Sequence, residues 1–464
     1  MKKVSLGDRF LGFHGWVLLG YALMGRGFSY VGIPPLFIGE ISLIFGFISI
    51  FLNRSTNYFL STALPKILKL LPAQILVIFM TWCLICTIPY VSKYGIDSVR
   101  DSAIWYYGFF ALIIATLIAA NPKRLLDILN RYRHFVTIFL VLCPIFFLIN
   151  QAEIAPKLPG SPVAIIELKA ADLMIHLSGV TAFFVAMKIQ NIGLFIGSFI
   201  VNLVVVAAQA NRSGSLAFLC SFLVVITFRP QSYRIWGIMV TLLLGGMLIL
   251  AFHPELIAPI FSKMATIFVD DGAERYQGTK EFRLKWWTHI YNYTFGGEYF
   301  WMGKGFGVNL GLDDHFDPLG DGKVRSPHNG HLCILARSGV PGFFLWIGLQ
   351  GTWVLGVLQR LLRSVMIQGQ RLWRGLFLFL FCYWIAFMIT INFEVVLEGP
   401  SGGVWLWSLL GLGLAAMFVY DSHADLMNIP INELDLDSLH NEPVHEVKSS
   451  FSPIDIGADD ASRY

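Results

Sequence analysis

The stretch PAQILVIFMTWCLICTIPY, residues 72–90, decides the fold class of this chain. Its 19 residues include no charged side chain, and about 20 apolar residues in a helix span the ~30 Å hydrocarbon core of a bilayer. Because lipid offers no partner to a backbone N–H or C=O, a long apolar run in a membrane must satisfy these groups internally, as a helix does. The stretch therefore predicts a transmembrane helix.

Similar runs recur along the 464 residues, which are 56% hydrophobic and only 14% charged. So much apolar surface on a water-soluble protein would leave large exposed patches, which soluble monomers avoid. The net charge of +4 gives no basic surface for nucleic acid. We predict an all-α polytopic membrane protein with twelve spans. They are expected near residues 10–25, 35–52, 72–90, 102–120, 134–150, 171–187, 192–208, 213–228, 233–252, 339–359, 375–392 and 402–420.

The Lys and Arg residues between the spans predict the orientation. With the N-terminus in the cytoplasm, 17 of them fall on the inside and 6 on the outside, as expected because cytoplasmic loops accumulate Lys and Arg. The chain then divides into spans one to nine (1–252), an outside loop (253–338), spans ten to twelve (339–420) and an acidic tail (421–464). The tail has no sustained periodicity and is predicted to be disordered in the cytoplasm.

The outside loop is too long for a plain connector and holds nine of the 34 Lys and Arg residues. Within it, residues Glu274–Phe295 predict an amphipathic helix that ends at Gly296 and Gly297. The turn-forming stretch Gly303–Gly307 then indicates a close approach of backbones. The apolar face of the helix is expected to hold Phe282, Trp286, Ile290 and Tyr293, which recur at spacings of four, four and three.

The loop ends in Ser326–His331, followed by Gly339 and Pro341. A Ser cap followed by Pro is a helix start signal, and Gly and Pro are a stop. We therefore expect a short helix over 327–338 that leads into the tenth span. His328 would lie in its first turn, where the helix dipole disfavours imidazolium. A neutral ring near pH 7 can act as a general base; alternatively, His328 only caps the helix or bonds a neighbouring loop.

Two arginines are further candidates. Arg212 lies in a tight outside turn between spans seven and eight, at the membrane boundary, where a charge is costly and indicates function. It is otherwise an interfacial residue whose head group reaches water. Arg283 lies on the predicted loop helix, three and four residues before Trp286 and Trp287, where it is either functional or part of a solvated face.

Together these pieces resemble the O-antigen ligase and O-antigen polymerase superfamily of bacterial inner-membrane glycosyltransferases. The specific match is to the family signature H-N-x-x-L-x-x-L-x-x-x-G-x-x-G just before a span, formed here by His328, Asn329, Leu332, Leu335, Gly339 and Gly342. Arg283 with Trp286 or Trp287 and the later glycine turn is similar to the family's R-x-x-x-W…G-x-G stretch. Arg212-Ser213-Gly214 is similar to its S-R-G turn, although Asn211 replaces the usual small hydroxyl residue. The detailed resemblance covers about residues 200–345.

The resemblance implies a GT-C-like fold and the transfer of a glycan from an undecaprenyl diphosphate carrier to a sugar hydroxyl, without a cofactor or metal. His328 would take the hydroxyl proton, and the guanidiniums of Arg212 and Arg283 would bind the diphosphate. The transfer would invert the anomeric centre. Residues expected to bind substrate are Asn329, His331, Trp286, Trp287 and Tyr291, although core packing of the aromatic rings is an equal alternative.

The expected partners are the lipid-linked glycan, membrane lipids and an acceptor, either lipid A–core for a ligase or a second lipid-linked repeat unit for a polymerase. The expected location is the bacterial inner membrane, with the loop in the periplasm. A small-anion transporter is the rival from another class. Transporters place ionisable groups near the bilayer midplane, and here Glu40 is the main candidate. The acidic residues at 313–321 fit no EF-hand spacing.

Overall fold

The computed structural model describes residues 5–52, 58–159, 163–187, 212–228, 274–317, 320, 322, 324–367 and 369–427. Within them the chain is almost entirely helical, with one two-stranded hairpin pairing Gly32–Ile33 with Leu36–Phe37. The helices, numbered in chain order, are α1 (Leu6–Met24), α2 (Ile38–Phe51), α3 (Leu64–Ile67), α4 (Leu71–Tyr94), α5 (Ile96–Asp101), α6 (Ala103–Tyr106), α7 (Gly108–Ala120), α8 (Lys123–Gln151), α9 (Ala170–Met187), α10 (Arg212–Phe228), α11 (Glu274–Phe295), α12 (Leu310–Asp313), α13 (Gly330–Met366), α14 (Arg371–Ile391) and α15 (Pro400–Ser422).

Among the described helices, six are long and apolar enough to cross a membrane: α4, α8, α9, α13, α14 and α15. The segments 96–106 and 108–120 pass the same test together and are bent by 41° at their junction, which would make a seventh span. The protein is thus a polytopic α-helical membrane protein, as its composition predicts. The spans predicted at 10–25, 35–52 and 213–228 are helices α1, α2 and α10, which are not among these six. Those predicted at 192–208 and 233–252 lie outside the described residues, so the total of twelve stays a prediction.

The helices pack in groups that bring distant parts of the sequence together. Helices α9, α10 and α14 pack on one another, α7 packs along α15, and α4 packs along α13. Buried indoles tie these groups: Trp407 of α15 donates to Ile104 O at 3.0 Å, and Trp353 of α13 donates to Leu410 O at 3.0 Å. A buried indole N–H needs such a partner because an unpaired one is costly inside apolar surroundings.

The predicted loop helix forms with the predicted bounds, Glu274–Phe295. Trp286 and Ile290 on its apolar face are fully buried, and Phe282 and Tyr293 are packed against the core. The helix ends at the two glycines, where Gly296 N bonds Asn292 O at 3.2 Å. Because the period of apolar residues is a local property, the sequence was sufficient to place this helix.

The stop predicted at Gly339 and Pro341 is a kink. Gly339 has φ 69° and ψ −173°, so α13 consists of a short helix up to Ser338 and a long helix that continues to Met366. The glycine turn supports this break: Lys304 N donates to Ala336 O at 2.7 Å, and Gly305 N donates to Arg337 O at 3.1 Å. The close backbone approach predicted for this turn is therefore confirmed.

Candidate functional site

His328 lies just before the short helix and not inside it, which corrects the sequence expectation. The helix begins at Gly330, and the Asn329 side chain caps it by accepting a hydrogen bond from Leu332 N at 3.1 Å. His328 has φ 51°, a left-handed conformation that a helix cannot contain and that non-glycine residues rarely adopt. Ser326 and Pro327 are therefore not the cap and first turn. Such backbone strain persists where surrounding contacts impose it.

Helix α11 supplies one of those contacts. Trp287 donates its indole N–H to the carbonyl oxygen of Pro327 at 2.9 Å, which fixes the peptide immediately before His328. One turn earlier on the same face, the Arg283 guanidinium donates from Nη1 to Phe393 O at 3.2 Å. Arg283 and Trp287 thus connect the loop helix to the histidine segment and to the segment that follows α14.

The ring of His328 is kept neutral by its surroundings and not by a helix dipole. Burial, and then the positive charges of Arg283 and Lys169, lower the pKa of His328 from 6.5 to about 4. Each of these effects disfavours the imidazolium, because burial removes water and neighbouring cations repel a third charge. At pH 7 the ring is neutral and one nitrogen can accept a proton. The sequence also predicted a neutral ring, but from the dipole of a helix.

Lys169 comes from a distant part of the chain, just before α9. Its backbone is placed by Asn150, whose side chain bonds both the N–H of Leu168 at 3.1 Å and the carbonyl oxygen of Leu168 at 3.3 Å. Asp172 follows one turn later, within electrostatic reach of Lys169 and of Glu394 from the segment after α14. Sequence reasoning missed the site role of all three, since nothing local distinguishes them from other loop charges.

Five side chains from four segments therefore share one region: Lys169, Asp172, Arg283, His328 and Glu394, here called the open cluster. Within the described residues no ion pair joins any two of them. Arg212, the third predicted catalytic residue, is the first residue of α10, but its side chain lies outside the described part. Its place relative to His328 stays a prediction.

A second set of charges in the loop, here called the paired cluster, consists of one ammonium bonded to two carboxylates. The Lys304 ammonium bonds Asp313 Oδ2 and Asp314 Oδ1, both at 2.5 Å, and Trp286 Nε1 donates to Asp314 Oδ2 at 2.6 Å. Although burial opposes it, the two carboxylates raise the pKa of Lys304 above its ordinary value. Because these carboxylates already hold an ammonium, they offer no free cation site. Among described residues, no three His, Cys, Asp or Glu side chains converge as metal ligands.

The predicted substrate-binding aromatics fall in different surroundings. Trp286 is fully buried and stacks on Phe316, with ring centroids 5.4 Å apart, so it presents no face to a ligand. Trp287 is partly buried beside His328. Tyr291 is 56% exposed and stacks on Phe295 at 4.8 Å, on the outer face of α11.

The ring of His331 has a defined tautomer. The Trp346 indole, which can only donate, bonds His331 Nδ1 at 2.9 Å. Nδ1 is therefore the acceptor in a neutral ring, and Nε2 carries the proton. Asn329 is largely buried, and its side-chain oxygen is used by the helix cap. Asn329 and His331 are the two polar residues predicted to bind substrate. Of these, His331 retains a hydrogen-bond donor at Nε2.

A buried ion pair holds the short helix against the α4–α6 region. Arg337 is 1% exposed, and its Nη1 lies 3.0 Å from Asp101 Oδ2. The same carboxylate oxygen accepts from Arg325 Nη2 and from Gly307 N, each at 3.2 Å. The Asp101 carboxylate therefore joins the glycine turn, the segment before His328 and the helix after it. Removing one charge of such a buried pair is strongly destabilising.

Comparison with known families agrees with this geometry. Residues 197–347 match the family described as O-antigen ligase. That range includes Arg212, Arg283 and the whole His328 signature. No curated protein matches the chain. Residues 197–347, which include the His328 signature, are therefore similar to the O-antigen ligase family, and this similarity supports the O-antigen ligase superfamily for a chain with a helical membrane fold.

Proposed function

We propose that the protein is an O-antigen ligase-like glycosyltransferase that moves a glycan from undecaprenyl diphosphate to a sugar hydroxyl of lipid A–core. The observation that carries the proposal is a partly buried His328 kept neutral beside two cations, in the segment that matches the family signature. A neutral imidazole is the form needed to take a proton from an attacking hydroxyl.

The reaction is a single displacement that inverts the anomeric centre. The acceptor oxygen forms a bond to the anomeric carbon while its proton passes to His328. The bond from that carbon to the diphosphate oxygen breaks, and the electron pair leaves with the diphosphate. Negative charge grows on that leaving group, where the guanidiniums of Arg283 and Arg212 and the ammonium of Lys169 stabilise it.

The carboxylates of the open cluster suit the acceptor side. Asp172 and Glu394 are hydrogen-bond acceptors, so they favour sugar hydroxyls over a diphosphate. The Nε2 proton of His331 adds one donor. Trp287 acts through the Pro327 carbonyl and positions His328, and Trp286 stabilises the loop. In this proposal the site faces the periplasm, the loop 253–338 supplies Arg283 and His328, and both termini are cytoplasmic.

The glycans of a deletion strain test the reaction. A ligase predicts loss of all polymer from lipid A–core, with lipid-linked polymer accumulating. Lipid A–core capped with a single repeat unit would instead identify a polymerase of the same superfamily. Unchanged surface glycans with altered anion uptake would overturn the proposal in favour of a transporter. Restoration by the wild-type gene and not by His328→Ala links the phenotype to the site.

A further inference from the structure

A cavity of about 420 Å³ lies between α1, α7, α8, α14 and α15. Such a volume is within the range of small-molecule sites, about 300–1,000 Å³. Arg131, which lines the cavity, and Asn150, which holds the Lys169 segment, are 19 residues apart on the same helix, α8. At 1.5 Å per residue the two ends are about 28 Å apart. The cavity wall is largely apolar and includes Leu11, Trp16, Phe135, Ile138, Phe379 and Trp405.

Two polar side chains of the cavity wall, His14 and Ser408, are already bonded to each other. His14 lies between Ser42 Oγ at 2.9 Å from Nδ1 and Ser408 Oγ at 2.8 Å from Nε2. The Ser408 hydroxyl donates its proton to Val404 O at 2.6 Å, so the Nε2–H of His14 must donate to Ser408 and Nδ1 accepts from Ser42. No hydrogen-bonding capacity of His14 is left for a ligand. The interior therefore suits a hydrocarbon chain.

The rim is different, because it carries Arg131 and His134, both exposed. The Arg131 guanidinium lies over Gly12 of α1, where an added Cβ would come within 2.8 Å of Nη1. Two turns earlier on the same helix, Arg124 is held by Asp8 at 2.6 Å. Within the described residues Arg131 has no such carboxylate partner, so its charge is available at the mouth of an apolar cavity.

We propose that this cavity binds one acyl chain of an anionic glycerophospholipid whose phosphate is held by Arg131 and His134. A guanidinium binds phosphate oxygens in a bidentate manner, and α8 is a candidate membrane span, so a bilayer lipid can reach the site sideways. Trp16 at the cavity is 67% exposed, which leaves room for a chain to pass. This site is independent of the proposed glycan transfer.

Trp16 allows the proposal to be tested with the full chain in nanodiscs. Phosphatidylglycerol or phosphatidylcholine, each spin-labelled on the acyl chain, is added at equal mole fraction. The spin label quenches tryptophan fluorescence. The part of the quenching that is due to Trp16 is the difference between the wild type and Trp16→Phe. We expect phosphatidylglycerol to quench Trp16 at about fivefold lower mole fraction, the factor for one basic group near an anionic lipid. Equal quenching by the two head groups would overturn the proposal.

Two variants separate the charge from the cavity. Arg131→Gln should abolish the head-group preference, whereas Arg363→Gln, which removes an exposed charge that does not line the cavity, should keep it. Gly15→Leu should lower quenching by both lipids, because an added Cβ at Gly15 meets nothing within 4 Å and the side chain can occupy the cavity mouth. A preference that survives Arg131→Gln contradicts the assigned phosphate site.

Discussion

The open cluster and the paired cluster both include a residue of α11, Arg283 in the first and Trp286 in the second, and are built in opposite ways. Lys304 in the paired cluster is bonded to two carboxylates, and one of these also accepts from Trp286. In the open cluster, Arg283 and Lys169 lie close enough to His328 to depress its pKa, and no ion pair neutralises them within the described residues.

We interpret the difference as one between charges that hold a fold and charges that, in our proposal, serve a ligand. Charges paired at short range keep their partners and hold their segments together. Charges brought close without partners perturb their neighbours, which is the property of functional sites. Neighbouring residues on α11 illustrate this: Trp286 belongs to the paired cluster, and Trp287 positions His328 in the open one.

The largest effect is expected from His328→Ala, which removes the proposed base. We expect kcat to fall about 10²–10⁴-fold, the usual contribution of a general base. The measurement is transfer from purified lipid-linked glycan to an acceptor in detergent. His315→Asn is the control, because His315 is exposed and also has a positive φ. Full activity of the His328 variant would exclude it as the base.

Arg283→Lys keeps the charge and removes the planar fork. We expect kcat to fall about 10- to 100-fold, because an ammonium replaces neither the bidentate contact with the leaving group nor the bond to Phe393 O. Lys285→Met on the same helix, which removes an exposed charge, should be close to the wild type. If the two variants behave alike in the same assay, Arg283 belongs to a solvated face.

Trp286→Phe tests the paired cluster. The variant leaves Asp314 without its indole donor in a buried place, which costs about 1–3 kcal/mol. We expect a lower unfolding temperature in detergent. The measurement is the fraction of protein that stays monodisperse after heating. Trp287→Phe is the matched variant: it should lower kcat and leave the unfolding temperature nearly unchanged. If Trp286→Phe lowers only kcat and Trp287→Phe lowers the unfolding temperature, the assigned roles of the two tryptophans are wrong.

The smallest effect concerns pH. Because burial and two cations lower the pKa of His328 to about 4, kcat/KM should stay level below pH 6.5 and fall only as the pH approaches 4. Lys169→Met removes one of the cations, so the pKa should rise and the acid limb should move to higher pH. Lys157→Met, an exposed loop lysine, is the control. An acid limb of the wild-type profile near pH 6.5 would contradict a histidine whose pKa is lowered by partial burial and two cations.

The sequence alone predicted the helical membrane class, the loop helix Glu274–Phe295, the break at Gly339 and the close approach at the glycine turn. These features depend on apolar run length, on period, and on Gly and Pro signals, all of which act within a few residues. The signature around His328 lies in the segment that matches the O-antigen ligase family. The twelve-span count and the domain limits stay predictions.

Only the tertiary structure decided how that segment works. It placed His328 before the helix, since Asn329 is the cap and the left-handed φ of His328 ends any helix there. It also brought Lys169 within electrostatic reach of the histidine from a segment more than 60 residues away in sequence. A pKa depends on charges and water within a few ångströms, and sequence distance says nothing about those. The neutral histidine was thus predicted from the sequence, and its physical cause came from the fold.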